Sequence, residues 1–305
     1  MKNENETPPL ITVIVPVFNR WPHVCDAIES LLSQTYQNFE CIVVDDASSD
    51  KSYENIKEKY SDNEKIRVVQ LSKNSGQAIA RNIGVQKASG SFICFLDSDD
   101  ILLKDSLEAR ISVYNEEIDK DTIVSGGNIS AEKSNTKDLK KRLTPITLDE
   151  YLIERGLIHT NTVMMRTASF HHLGGFNEEL RQREDVEFFI RALCHFSAVS
   201  CGTYVAQMRA VDSSRARHDY EKIIKQGYAF VEALKNNKKL HEEASPKTLN
   251  NYISQGYNSY LNALYKTGRH KEYRSEIKGL AASKKIHLTK RHLKRILAGF
   301  LSPNK

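Results

Sequence analysis

Three groups of acidic residues stand out in the chain: Asp45-Asp46-Ala47-Ser48-Ser49-Asp50, Asp97-Ser98-Asp99-Asp100 and Glu184-Asp185-Val186-Glu187. The first two follow short apolar runs, FECIVVD (39–45) and SFICFLD (91–97), and a run as apolar as FICFL argues against a casual surface loop. Alternating carboxylates, Asp97-x-Asp99, put hard oxygen ligands into one small volume, where their repulsion is relieved by a divalent cation. Magnesium or manganese suits such oxygens and a soft metal does not. The alternative is that the acids complement the N-terminus of the following helix. Capping uses one of them but hardly three. The same alternative attaches to Glu184 and Asp185, where charge at a helix start is worth about 0.3–1 kcal/mol.

The elements that position these groups follow from periodicity. LITVIVP (10–16), FECIVVD, IRVVQL (66–71) and SFICFLD alternate with helix-period stretches, which predicts an α/β fold with a mostly parallel sheet. In such a sheet ligands collect outside the carboxyl ends of the strands, where the first two acidic groups lie. Pro22 opens a helix toward Gln34 with Val24, Ile28, Leu31 and Leu32 on one face, and further helices are expected near 50–60, 76–88 and 104–118. The polar stretch 130–143 is expected as a surface loop. A helix at 147–155, a strand at 162–166, a GGF turn at 174–176, a helix at 184–195 and a strand at 198–209 continue the domain. Beyond 217 the pattern is helical: His218–Asn236, Ser245–Thr267 with Pro246 in its first turn, and Lys271–Ser283. The expected organisation is a disordered 1–9, an α/β domain over 10–217, a helical extension over 218–283 and a basic amphipathic helix over 284–305.

Of the 305 residues, 40% are hydrophobic and 27% charged, which excludes disorder, collagen and a small disulfide scaffold. No run approaches the roughly 18 apolar residues of a membrane span, and the first nine residues are polar, so a cytoplasmic chain is expected. Five cysteines without a close-spaced pair indicate neither a disulfide framework nor zinc. Residues 1–217 carry 26 Lys+Arg against 32 Asp+Glu, whereas 218–305 carry 18 against 7. Within 284–305 there are seven cations and no acid, with Leu288, Leu293, Ile296, Leu297, Phe300 and Leu301 at helical spacing. That is the pattern of an interfacial helix on anionic lipid; the alternative is a basic helix packed on the domain. Nucleic acid is not expected, because no aromatic and basic interleaving accompanies the charge.

The blocks IVPVFNR (14–20), VVDDASSD (43–50), ARNIGVQKASG (80–90), FLDSDD (95–100) and GGFNEELRQREDVEFFIRA (174–192), in this order, resemble family-2 glycosyltransferases of the GT-A fold over about 10–215. The resemblance implies inverting transfer of a sugar from a UDP-sugar, with Mn2+ or Mg2+, to a hydroxyl of a surface glycan: lipopolysaccharide, capsule or lipid-linked oligosaccharide. It implies that Pro16, Val17, Phe18 and Asn19 lie against the nucleotide, that Asp46 holds the uracil, and that Asp97, with Ser98, approaches the ribose while Asp99, with Asp97, holds the metal. Asn74, Gly76, Arg81 and Asn82 match the loop and helix that lean on the donor. For Arg81, a salt bridge to Asp46 or Asp97 stands as the alternative to phosphate contact. Asp185 is implied as the catalytic base, with Glu184 as runner-up.

The pattern departs after the last strand, where relatives carry Arg-x-His-x-x-Ser and this chain reads Met208-Arg209-Ala210-Val211-Asp212-Ser213-Ser214, with Val211 at the His position. Asp212, His218, or donor phosphates and water then complete the metal shell. Trp21 is the single tryptophan, so the Gln-x-x-Arg-Trp element of processive synthases is missing and transfer of one sugar per encounter is expected. His159, Thr160 and Asn161 are acceptor-side candidates. Two rival functions are a non-catalytic nucleotide-sugar-binding scaffold and a phosphohydrolase of the haloacid-dehalogenase type. The latter needs its acidic motif on the first strand, and here it follows the fourth.

Overall fold

The computed structural model describes residues 7–115, 118–130, 144–154, 156–209, 219–286 and 288–301. The first half alternates strand and helix: β1 (Ile11–Val17), α1 (Val24–Leu32), β2 (Phe39–Asp45), α2 (Ser52–Lys59), β3 (Ile66–Gln70), α3 (Gln77–Gln86) and β4 (Phe92–Phe95). Then come β5 (Ile101–Leu102), α4 (Ser106–Ile111), β6 (Ile123–Ser130), α5 (Leu148–Ile153), β7 (Val163–Arg166), α6 (Thr167–His172), α7 (Glu184–Leu193) and β8 (Ala198–Met208). The eight strands form one sheet in the order β3-β2-β1-β4-β7-β6-β8-β5. The β3-β2-β1-β4 half is parallel, as the alternation predicts. β7 runs antiparallel to β4 and β6, β6 and β8 are parallel, and β5 closes the edge antiparallel to β8.

β1 is buried at every residue because helices cover both faces of the sheet, which is why it reads as an unbroken apolar run. Val13 and Val15 pack with Val24, Ile28 and Leu31 of α1 on one face, while Ile14 packs with Ala80 and Val85 of α3 on the other. Cys41 and Cys94 are wholly buried, and burial pushes the Cys41 thiol up, so both serve as core side chains. Trp21 also packs against this core.

Three expectations change. β6, IVSGGNIS, is a strand that composition hid: its two glycines and polar residues break the apolar alternation. A Cβ on Gly126 would lie 2.5 Å from Val205 of β8, so the close approach of the strands demands glycine there. The helix expected over 218–236 is two, α8 (Tyr220–Gln226) and α9 (Ala229–Asn236), broken at Gly227 with φ 59°, and α10 (Lys238–Glu243) follows. Pro8 and Pro9, placed in a disordered tail, have carbonyls that accept bonds from Asn38 Nδ2 and Tyr36 Oη at 2.5 Å each. The loop expected at 130–143 lies, from 131, outside the described residues.

α11 (Pro246–Lys266), α12 (His270–Ala282) and α13 (Lys290–Leu301) complete the chain. Ser245 caps α11, accepting from Thr248 N ahead of the first-turn proline. Leu249 and Tyr252 of α11, with Phe230 and Leu234 of α9, join the core of the sheet. The distal half of α11 and α12 build a core of their own around Tyr257, Leu261, Leu264, Tyr273 and Ile277. Ile296 of α13 packs against it, whereas Leu288 and Leu293 are each 49% exposed. Among the described residues no helix is long and apolar enough to cross a membrane.

Two helical glycines separate propensity from packing. A Cβ on Gly84 of α3 would lie 2.4 Å from Ile14 Cγ2, and one on Gly279 of α12 would meet nothing within 4 Å. Gly279→Ala is expected to stabilise the fold by about 0.5–1 kcal/mol, while Gly84→Ala loses that gain to the clash and destabilises; urea unfolding midpoints measure both.

Candidate functional site

The carboxyl ends of β1, β2 and β4 and the start of α7 meet at one edge of the sheet, and polar side chains stitch them together. After β1, Asn19 adopts φ 51°, a conformation Asn tolerates. Its Oδ1 accepts from Ser49 N at 2.8 Å, and its own N–H donates to Ser48 Oγ at 2.9 Å, so the turns after β1 and β2 form one unit. Pro16 and Val17 are buried beneath this rim, and Phe18 is 44% exposed on it.

The Asp45–Asp46 pair divides its work. Asp46 accepts Ser75 N at 2.6 Å and Gly76 N at 2.8 Å on its two oxygens, anchoring the loop before α3. Gly76 has φ 93°, and a Cβ there would strike Arg181, whose Nη1 donates to Ser75 O. Asn74 is exposed on the same loop. Asp45 is fully buried; Oδ2 accepts Ser48 N at 3.0 Å, while Oδ1 is buried without a partner.

At the end of β4 the four residues of the acidic motif part ways. Asp100 is buried, accepting Asn161 Nδ2 at 2.7 Å and Arg209 N at 2.8 Å, so it ties β4 to the turn before β7 and to the end of β8. Ser98 is also buried. Asp97 and Asp99 keep 24% and 31% of their side chains exposed. Asp97 Oδ1 accepts Arg81 Nη2 at 2.7 Å, and Asp99 Oδ2 lies 3.8 Å from Arg20 Nη2. No three acidic, His or Cys side chains among the described residues are grouped to hold a metal. The donor set available is therefore two partly exposed carboxylates, which fits magnesium or manganese taking its remaining oxygens from substrate and water. The Val211 position lies outside the described residues, as do Asp212 and His218.

Arg81 joins this motif to the third acidic group. It is 2% exposed, and besides Asp97 it donates Nη1 to Glu184 Oε1 at 2.9 Å. Burial pulls its pKa down, but Asp97, Glu184 and Asp185 together hold it above the ordinary value. Glu184 is raised by its burial and by Asp185, against the pull of Arg81. The pairing expectation for Arg81 thus holds for Asp97, but not for Asp46, and Glu184 is a partner the sequence did not suggest. Glu184 is committed to this ion pair. Asp185, half-buried, accepts Thr160 Oγ1 at 3.1 Å and Val186 N at 2.8 Å.

Asn82 is corrected. Its Nδ2 donates to Phe176 O and Glu178 Oε1 at 2.9 Å each, and its Oδ1 accepts Phe176 N at 2.9 Å. It clips the GGF turn in place and has no donor group left for a ligand. Thr160 and Asn161, expected on the acceptor side, are buried and bond the acidic groups themselves: Thr160 Asp185, and Asn161 both Asp97 N and Asp100. Arg209 was not singled out as a site residue; its guanidinium bonds Asp99 O, Asp26 and His23 O, locking the motif to α1. No periodicity marks such a residue, since its partners lie more than a hundred positions away.

The network predicts that Arg81→Met costs about 3–5 kcal/mol, because it strands the buried Glu184 carboxylate. Glu184, already raised, then keeps its proton more readily when folded. A raised acid favours the fold below its unfolded pKa and loses that contribution as pH climbs through the folded one. The deficit of Arg81→Met should therefore narrow as pH falls toward about 4, measured by denaturant unfolding at a series of pH values.

With this geometry in hand, residues 12–174 match the family described as Glycosyl transferase family 2. The chain is 33% identical over 192 residues to an uncharacterized glycosyltransferase of Rickettsia felis, covering 61% of this chain and 31% of that one, so it spans about a third of that relative's length. It is 29% identical over 228 residues to the putative teichuronic acid biosynthesis glycosyltransferase TuaG of Bacillus subtilis, covering 73% and 88% of the two chains. The fold is shared with Staphylococcus aureus TarS, residues 1–349, solved in complex with UDP-GlcNAc: TM-score 0.63 and 21% identity over 84% of this chain and 80% of that one.

Proposed function

Because the chain belongs to glycosyl transferase family 2, we propose that it transfers one sugar from a UDP-sugar to a hydroxyl of a cell-surface glycan, with inversion at the anomeric carbon. The observation that carries the reading is the Arg81 bridge, which holds Asp97 of the strand-end motif and Glu184 beside Asp185 in one charge network. The TarS complex with UDP-GlcNAc supports the donor class, and the teichuronic acid assignment of TuaG supports an envelope glycan, lipid-linked or polymeric, as acceptor.

Asp97 and Asp99 are the residues that would hold Mg2+ or Mn2+, which when bound neutralises the diphosphate of the departing nucleotide. Asp185 takes the proton of the acceptor hydroxyl as its oxygen attacks the anomeric carbon. Thr160 fixes the orientation of that carboxylate, and bonds to Thr160 and Val186 leave lone pairs on both oxygens. Arg81 serves as a fixed charge that aligns Asp97 and Glu184. Pro16, Val17, Phe18 and Asn19 form the nucleotide rim, and Asp46 reads the uracil N–H with lone pairs not used by Ser75 and Gly76. The work is done at the inner face of the cell membrane, with the chain peripheral and its basic C-terminal helix toward the lipid.

Calorimetric titration with UDP and UDP-sugars, with and without Mn2+, tests the donor half. Wild type should bind UDP in a metal-dependent manner and Asp99→Ala should lose that dependence; wild-type protein indifferent to metal would overturn the assignment. Asp185→Asn should lower kcat by about 10²–10⁴-fold while UDP binding stays as in wild type. A normal rate in that variant would remove Asp185 as the base.

A further inference from the structure

Far from the strand ends, a polar cleft of about 250 Å³ opens between α11 and α13, lined by Asn258, Asn262, Thr289, Arg291, His292 and Arg295. Arg291 and Arg295, one turn apart on α13, donate to the same acceptor, Asn262 Oδ1, at 3.2 and 3.0 Å. Two guanidiniums drawn to one neutral amide oxygen repel each other. Among the described residues no carboxylate is paired with either, and 284–305 contains no acid that could supply one. Arg295 is held in place by stacking on Tyr265 at 4.3 Å. His292, 7% exposed, is locked reciprocally to Thr289, each backbone N–H donating to the other side chain at 3.3 Å.

The arrangement suits an anion. Two guanidinium forks match the tetrahedral oxygens of a phosphate better than a single carboxylate. Leu288 and Leu293, close in sequence to the arginines, are each 49% exposed, so apolar side chains accompany the phosphate site as they do where a helix lies at a bilayer interface. We propose that the α11–α13 cleft binds the phosphate of an anionic lipid headgroup. The proposal deepens the membrane part of the functional reading. Its test reads no turnover, so its failure leaves the transferase assignment standing.

Sedimentation of the full chain with phosphatidylglycerol–phosphatidylcholine vesicles and with phosphatidylcholine vesicles, together with calorimetry using soluble glycerol 3-phosphate, tests it. Arg291→Gln/Arg295→Gln is compared with Lys290→Gln/Lys294→Gln, which removes the same charge from the same helix. Diffuse attraction predicts about five-fold weaker vesicle binding per cation removed in both variants. A built site predicts that the arginine pair loses at least about ten-fold more than the lysine pair, and alone loses saturable glycerol 3-phosphate binding. Losses of both vesicle and glycerol 3-phosphate binding that are equal in the two variants, or glycerol phosphate binding that survives the arginine changes, would overturn the site. Glycerol phosphate binding lost with the arginines while vesicle binding falls equally in both variants would overturn the lipid source. Arg291→Gln alone, an exposed position, should already weaken both interactions with an unchanged melting temperature, which separates loss of the site from loss of fold.

Discussion

A buried guanidinium is tolerated only when its charge is matched, and the placement of Arg81 turns that requirement into architecture. Desolvation opposes its charge, and Asp97, Glu184 and Asp185 more than offset the penalty. The dependence is mutual, since Glu184 is 6% exposed and, with Asp185 next to it, would otherwise be driven to protonate. Because Arg81 lies on α3, Asp97 just past β4 and Glu184 at the start of α7, one pairing requirement sets three elements in register around the strand ends. Phe176, 5.5 Å from the guanidinium, adds the GGF turn to the same assembly.

Around that centre the acidic residues sort by exposure. Asp45, Asp46, Asp100 and Glu184 are buried, and their recorded bonds go to backbone amides, to Gln70 and Asn161, and to Arg81. Asp97, Asp99 and Asp185 are partly exposed. The bonds of the buried set shape the loops, and Asp46, though buried, keeps lone pairs that Ser75 and Gly76 do not use. Residues with left-handed backbones, Asn19, Ala47 and Lys51, lie in the two turns that Asn19 and the serines join, where the chain must reverse within a few residues.

The C-terminal helices are continuous with this assembly. Arg183, immediately before α7 and also left-handed, stacks on Phe230 of α9 at 4.1 Å and approaches Tyr252 of α11. Asp149 of α5 accepts Ser245 N at 3.0 Å. The start of the helix carrying Asp185 is thus braced by the extension, while the distal part of that extension, with its own core, carries the excess of positive charge outward.

The parallel half of the sheet, its covering helices and the three acidic groups were legible in the chain alone, because a fully buried strand and a one-sided helix impose local apolar patterns and the acids follow those runs directly. β6 was not, since its Gly126 answers to Val205 of β8 rather than to its neighbours in sequence. Nor could local pattern divide the acids into buried and exposed groups. Asn82 matches the donor-side helix and is a clip on Phe176, Thr160 and Asn161 stand as acceptor-side candidates and bond the acidic groups, and the cleft of Arg291 and Arg295 forms only where Asn262 of another helix meets them. Sequence determined which residues carry charge and which runs must be buried, because both are properties of neighbours along the chain. Which charges meet, and which are left facing solvent, was decided by tertiary packing, because pairing energies depend on distance and burial between residues that are far apart in sequence.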